Sequence, residues 1–248
     1  MSGASPFYFG RAALKRGFYS RRAMLRDARK VLLFKFRGAS DEDSASTRDW
    51  ILSNVAGRRS DEMLPLVPEV LGPILQRVYP TIFDRILAHE RDGVATYLCS
   101  ASPIEIVQRV AAALDMTGGA LATTAEVGPD GVYTGELTGP FCYGEGKAVA
   151  MRAEAGAMDL DLTASWAYSD SVSDLPMMEA VGHPVAVNPD KALARIASER
   201  EWETLRVEPR HGLRMVVAGS AVTVVGAGLA GWIVTRLRAG DDPTSMHH

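Results

Sequence analysis

From residue 79 onward, apolar positions alternate between helical and extended spacing. Residues 79–90 and 104–114 carry apolar side chains at helical intervals, and residues 94–99 form a short apolar run between them. Two extended runs, 121–127 and 132–137, flank Gly128-Pro-Asp-Gly131 and predict a hairpin. Helix, strand, helix, strand and helix then follow at 147–157, 164–168, 175–181, 184–187 and 190–199. Such alternation predicts an α/β domain whose parallel sheet is covered by helices on both faces.

Residues 6–79 read as helical. Phe7, Phe9, Leu14, Phe18, Leu25, Val31, Leu32 and Phe36 supply one apolar face, and an Asp- and Ser-rich loop at 38–47 interrupts the pattern. Helices at 48–55 and 61–74 follow, the second broken by Pro65, Pro68 and Pro73. The chain therefore divides into a helical region (1–78), an α/β core (79–212) and a C-terminal segment (213–248). Within that segment, residues 215–235 are uncharged, with Arg210 and Arg214 before them and Arg236 and Arg238 after. A continuous helix of this length reaches across a bilayer, although its many Gly and Ala residues suit an apolar helix docked on protein equally well.

Composition narrows the class. At 248 residues, 47% hydrophobic and 23% charged, the chain is long enough for one α/β domain and a smaller helical insert. A net charge of −3 gives no reason to expect nucleic acid as a partner. Cys99 and Cys142 lack Cys-x-x-Cys spacing and fit a reducing compartment. Arg11, Lys15, Arg16, Arg21 and Arg22 interrupt any N-terminal apolar run, so no secretory signal is read. The expected location is cytoplasmic, with the C-terminal helix as an anchor to the inner face of the membrane.

The chemistry concentrates in Tyr168-Ser-Asp-Ser-Val-Ser-Asp174-Leu-Pro-Met-Met178, which sets two carboxylates four residues apart behind a predicted strand. Ligands of open α/β sheets sit at the carboxyl ends of strands. Asp170 and Asp174 are therefore candidate ligands or orienting groups for a hard cation; the alternative is a turn residue and a helix N-cap. Lys147 follows a glycine-containing loop, Tyr143-Gly-Glu-Gly-Lys147, at a helix start, where an ammonium can neutralise phosphate. Ser100 ends the 94–99 run and offers a hydroxyl to a phosphoryl oxygen, with helix capping as the competing role for it and Ser102.

In this order, a strand-end Ser, a Lys and Asp-x-x-x-Asp, the sequence resembles motifs II, III and IV of the haloacid dehalogenase (HAD) superfamily, and within it the phosphoserine-phosphatase-like subgroup HAD-IB. The likeness runs from about residue 3 to about 205 and is most specific over 168–190, where Val181-Gly-His-Pro-Val-Ala-Val-Asn-Pro-Asp190 also belongs to it. It implies a HAD-like Rossmannoid parallel sheet flanked by helices, a helical cap over the site, and hydrolysis of a small phosphorylated substrate. It further implies Mg²⁺ held by Asp170, with Asp174 holding metal waters and Lys147, while Lys147 and Ser100 grip the phosphoryl oxygens.

The resembling family places its nucleophile on an N-terminal strand ending in Asp-x-Asp-x-Thr, whose first Asp forms an aspartyl-phosphate. No such motif is read anywhere in this chain, which opens Met1-Ser-Gly-Ala-Ser-Pro-Phe-Tyr-Phe-Gly10. A late start codon and a true truncation both account for this. In the resembling fold that strand lies mid-sheet, so an apolar slot is expected between the strands at 94–99 and 164–168. The leading expectation is a Mg²⁺-dependent phosphomonoesterase fold without its nucleophile, and the alternative is a non-catalytic, membrane-tethered phosphate-binding or scaffold protein.

Overall fold

The computed structural model describes residues 48–49, 52–53 and 55–208, together with the backbone of two strands at 214–218 and 221–225. A 3₁₀ segment, Ser60–Leu66, leads into α1 (Val67–Leu75). Pro68 in the first turn of α1 costs no helical hydrogen bond, whereas Pro73 removes one, and the helix ends two residues later. Tyr79 is extended, the conformation favoured before proline, and Pro80 opens α2 (Pro80–Arg91).

The alternating part begins with β1 (Tyr97–Pro103), α3 (Ile104–Ala113) and β2 (Gly119–Thr123). Strands β1 and β2 pair in parallel, Cys99 opposite Leu121 and Ser100 opposite Ala122, and the register shifts beyond Ser100. The antiparallel hairpin is β3 (Ala125–Val127) with β4 (Tyr133–Leu137). It is shorter than the expected 121–127 arm, because residues 121–123 are spent on the parallel pairing with β1.

Next come α4 (Glu145–Met158), β5 (Trp166–Ser169), α5 (Leu175–Glu179), β6 (His183–Val187), α6 (Lys191–Glu199) and β7 (Glu203–Leu205). Strands β5, β6 and β7 form a second parallel sheet in that order. The parallel α/β layering read from the sequence is present, but divided into two sheets. Among the described residues nothing pairs with the free edges of β1 and β5. A cavity of about 720 Å³ is lined by Leu98, Cys99 and Ser100 on one side and by Ala167, Tyr168 and Asp170 on the other. This is the slot expected between those strands.

Two apolar clusters hold the elements in place. In the first, Leu66, Val70 and Leu75 meet Ile106 and Val110 of α3, with Tyr133 of β4 closing one side. The buried face of α3 (Ile106, Val107, Val110, Ala111) has helical spacing, and each of its buried Ile and Val side chains contributes about 1.5–3 kcal/mol. In the second, Ala148 of α4, Ala167 of β5 and Ala186 of β6 are buried together with Met177, Met178, Leu193 and Ala197.

The continuous helix expected over 215–235 is not what its first half forms. Strands β8 (Arg214–Ala218) and β9 (Ala221–Val225) pair antiparallel, with Ala218 opposite Ala221. The residues explain the correction: Val216, Val217, Val222, Thr223, Val224 and Val225 are β-branched and favour extended backbone. Among the described residues no helix is long and apolar enough to cross a membrane. The expectation for 226–235, like the apolar face drawn from Phe7 to Phe36, lies outside the described residues.

Candidate phosphate and metal site

Lys147 is placed by the loop before α4. Gly144 has φ +54° at the N-cap, a conformation other residues rarely adopt, and a Cβ on Gly146 would stand 1.8 Å from the Phe141 carbonyl oxygen. Both glycines are therefore required for the tight turn that delivers Lys147 into the interior. Its Nζ lies 2.8 Å from each carboxylate oxygen of Asp174. Only 12% of the lysine and 10% of the aspartate side chain remain exposed, so this is a buried pair rather than a surface salt bridge.

Around Asp174 the geometry is specific. Lys147 Nζ and Ser169 Oγ both donate to Oδ2, at 2.8 and 2.7 Å, while Oδ1, although close to the ammonium, is buried without a hydrogen-bond partner. Ser169 Oγ in turn accepts the Ser171 N–H at 3.2 Å, which fixes the hydroxyl at the end of β5. Burial opposes the Lys147 charge, but the Asp174 carboxylate outweighs it and holds the lysine pKa above its ordinary value. Asp170 stands at the carboxyl end of β5, where burial pushes its carboxyl up and Lys147 pulls more weakly the other way.

The structure brings Ser100, Lys147, Asp170 and Asp174 to the wall of one cavity. Ser100 Oγ also accepts the Ser102 N–H at 3.2 Å, so the capping role weighed for these serines is a local turn. His183 stacks on Trp166 with ring centroids 4.6 Å apart.

Three features escaped the sequence reading. Ser169 looked like one of several serines in the loop. Asp190 caps α6 through Leu193 N–H at 2.8 Å, but its other oxygen also accepts Val172 N–H at 2.9 Å, and its own N–H donates to the Asp170 carbonyl at 2.9 Å. Finally, Asp159-Leu-Asp161-Leu-Thr163 has the letters Asp-x-Asp-x-Thr. It is not a strand end: Asp159 is the left-handed C-cap of α4, and Asp161 is exposed, accepting the Thr163 N–H and hydroxyl at 2.8 and 2.6 Å to cap a 3₁₀ turn. The Asp161 carboxylate is committed to turn geometry.

The family model for haloacid dehalogenase-like hydrolases matches residues 1–179, a span that contains Ser100, Lys147, Asp170 and Asp174. The chain belongs to that family. It is a HAD-like hydrolase of the phosphoserine-phosphatase-like type. A probable phosphatase of Mycobacterium tuberculosis is 37% identical over 96% of this chain and 82% of its own length. A phosphoserine phosphatase of the same organism is 35% identical over 82% of this chain and 66% of its own. Among solved structures, a Bordetella pertussis protein of unknown function superposes with a TM-score of 0.68 at 25% identity, covering 82% of this chain and 90% of that one.

Proposed function

We propose that this HAD hydrolase fold serves Mg²⁺-dependent hydrolysis of a small phosphomonoester through an aspartyl-phosphate, with the nucleophilic Asp absent from this chain. The observation that carries the reading is the buried Lys147–Asp174 pair facing the cavity beside Ser100 and Asp170. A buried ammonium costs several kcal/mol unless an anion answers it, and one carboxylate answers only part of its three-donor capacity. A phosphoryl group would take the rest, with the Ser100 hydroxyl as a second donor. The phosphatase relatives support a phosphorylated substrate.

The residues fit Mg²⁺ in part. Asp170 and Asp174 offer the hard oxygens this ion takes, and Asp174 Oδ1, beyond its ion-pair contact with Lys147, is a buried acceptor with no hydrogen-bond donor among the described residues. Among the described residues no group of three or more acidic, His or Cys side chains is gathered to hold an ion, so further oxygens would come from water, substrate or another segment. When bound, the metal would neutralise phosphoryl charge. Asp170 would be its ligand, and Asp174 would orient Lys147.

The test uses two forms of the protein. With Mg²⁺, inorganic phosphate should bind the chain, and Lys147→Met should weaken binding at least tenfold by calorimetry; equal binding by the variant would overturn the phosphate site. The chain alone should hydrolyse an aryl phosphate at a small fraction of the family's rate, because deleting a covalent nucleophile costs on the order of 10⁶ in a serine protease. A version extended at its N terminus by a strand ending in Asp-x-Asp-x-Thr should recover turnover. Phosphate binding without turnover in both forms would favour the second reading, a non-catalytic phosphate-binding protein. A membrane tether for it would have to lie outside the described residues.

A further inference from the structure

Beneath the phosphate pocket, Cys99 and Cys142 bring their sulfurs to 3.6 Å. They are the chain's two cysteines, from separate elements: Cys99 lies in β1 immediately before Ser100, and Cys142 in the loop that turns into α4 and Lys147. Cys142 is held there from two sides. Its N–H donates to Thr123 Oγ1 at 3.2 Å, and its Sγ lies 3.4 Å from the Leu121 carbonyl oxygen, whose residue is paired with Cys99 across β1 and β2. Cys142 is fully buried, whereas Cys99 lines the 720 Å³ cavity.

We infer that Cys99 and Cys142 are a peroxide-oxidisable pair that closes to an intramolecular disulfide. Reduced sulfurs in van der Waals contact need approach only from 3.6 Å to about 2.05 Å to bond, and the cavity gives a molecule as small as hydrogen peroxide a route to Cys99. The Cys99 S–H lowers the Cys142 thiol against the cost of burying a thiolate, and Lys147 adds to the lowering; pairing and burial push the Cys99 thiol up. The pair thus shares one proton more readily than two isolated buried thiols would.

The chemistry is balanced by the oxidant. One sulfur attacks a peroxide oxygen and breaks the O–O bond; the sulfenic acid forms, and the departing hydroxide takes the thiol proton as water. The neighbouring sulfur then attacks the sulfenic sulfur, the S–O bond breaks, and the hydroxyl leaves with the second thiol proton as a second water. Two electrons pass from the sulfurs to the peroxide. Closing the bond draws the strand at Ser100 and the start of α4 towards each other, so the two phosphate-gripping residues change their spacing. The inference stands without the phosphatase reading, because it needs only the two thiols and the cavity.

The decisive experiment is thiol counting on the full chain, since any intramolecular disulfide in it must be this one. Treated with a small excess of hydrogen peroxide and then denatured, the monomer should fall from two titratable thiols to none, with an intact mass lower by two hydrogens. Dithiothreitol should restore both. Cys99→Ser and Cys142→Ser should each abolish the mass loss, and peptide mapping of the unmodified chain checks the linkage without relying on either variant. Persistence of both thiols, separate sulfinic acids on the two residues, or disulfide-linked dimers would each overturn the assignment.

Discussion

The Asp190 carboxylate accepts the Val172 N–H at 2.9 Å and so ties the loop carrying Asp170 and Asp174 to the start of α6. Asp190→Ala removes a helix cap and a loop anchor together, and should destabilise the protein by about 2 kcal/mol in urea melts. Asp190→Asn keeps one carbonyl acceptor and should lose roughly half as much. A full loss in Asp190→Ala beside no loss in Asp190→Asn would show that only the cap oxygen matters.

Removing the ammonium from the buried Lys147–Asp174 pair leaves a carboxylate without its counter-charge. Lys147→Met should therefore cost about 3–5 kcal/mol of stability. Adding Asp174→Asn to that variant should restore most of the loss, because the stranded charge is gone, and a double-mutant cycle on thermal unfolding would measure the coupling. Additive losses would mean that the two groups do not sense each other.

Asp170 carries a pH signature opposite to that of most native carboxylates. Its folded pKa is raised above the ordinary value of 3.8 by burial, so between that value and the folded pKa the native state binds more protons than the unfolded state. Stability contributed by the protonated form is present below pH 3.8 and is lost as pH rises through the folded pKa. In EDTA, Asp170→Asn should raise Tm at pH 7, and the gain should shrink as pH falls through the same window. A lower Tm for the variant at pH 7 would contradict this. A carboxylate kept at a stability cost is in keeping with a functional site.

Gly146→Ala should be disproportionately damaging for a single methyl, because its Cβ would meet the Phe141 carbonyl oxygen at 1.8 Å. A loss above about 1 kcal/mol, together with weakened phosphate binding, is expected from displacement of the Lys147 turn. Gly156→Ala, in the same helix with no atom within 4 Å of the added carbon, is the matched control and should be neutral or stabilising.

Much of the fold and the site was legible because it is local. The helices at 104–113 and 191–199 announce themselves by apolar spacing, and Asp170, Asp174 and Lys147 by their places after a strand or at a helix start. What was missed depends on separation in sequence. The second oxygen of Asp190 finds its partner 18 residues away, and Cys99 meets Cys142 across 43 residues, distances over which no periodicity speaks. Ser169 is distinguished from its neighbouring serines only by the strand end that points it at Asp174. The tail was misread because an uncharged run of small and β-branched residues satisfies a length criterion for a helix and the propensity for a hairpin at once.

The cluster joining Leu66, Val70 and Leu75 to Ile106 and Val110 has a consequence for cooperativity. Helix α1 buries its apolar face almost wholly against α3 and its surroundings, and nine residues are too few to persist as an isolated helix in water. Opening α1 therefore exposes the flank of α3, and the two should protect their amides as a single unit rather than as a lid and a base. Any opening and closing over the cavity must then be borne by segments other than α1, which acts as part of the foundation on which the candidate phosphate site stands.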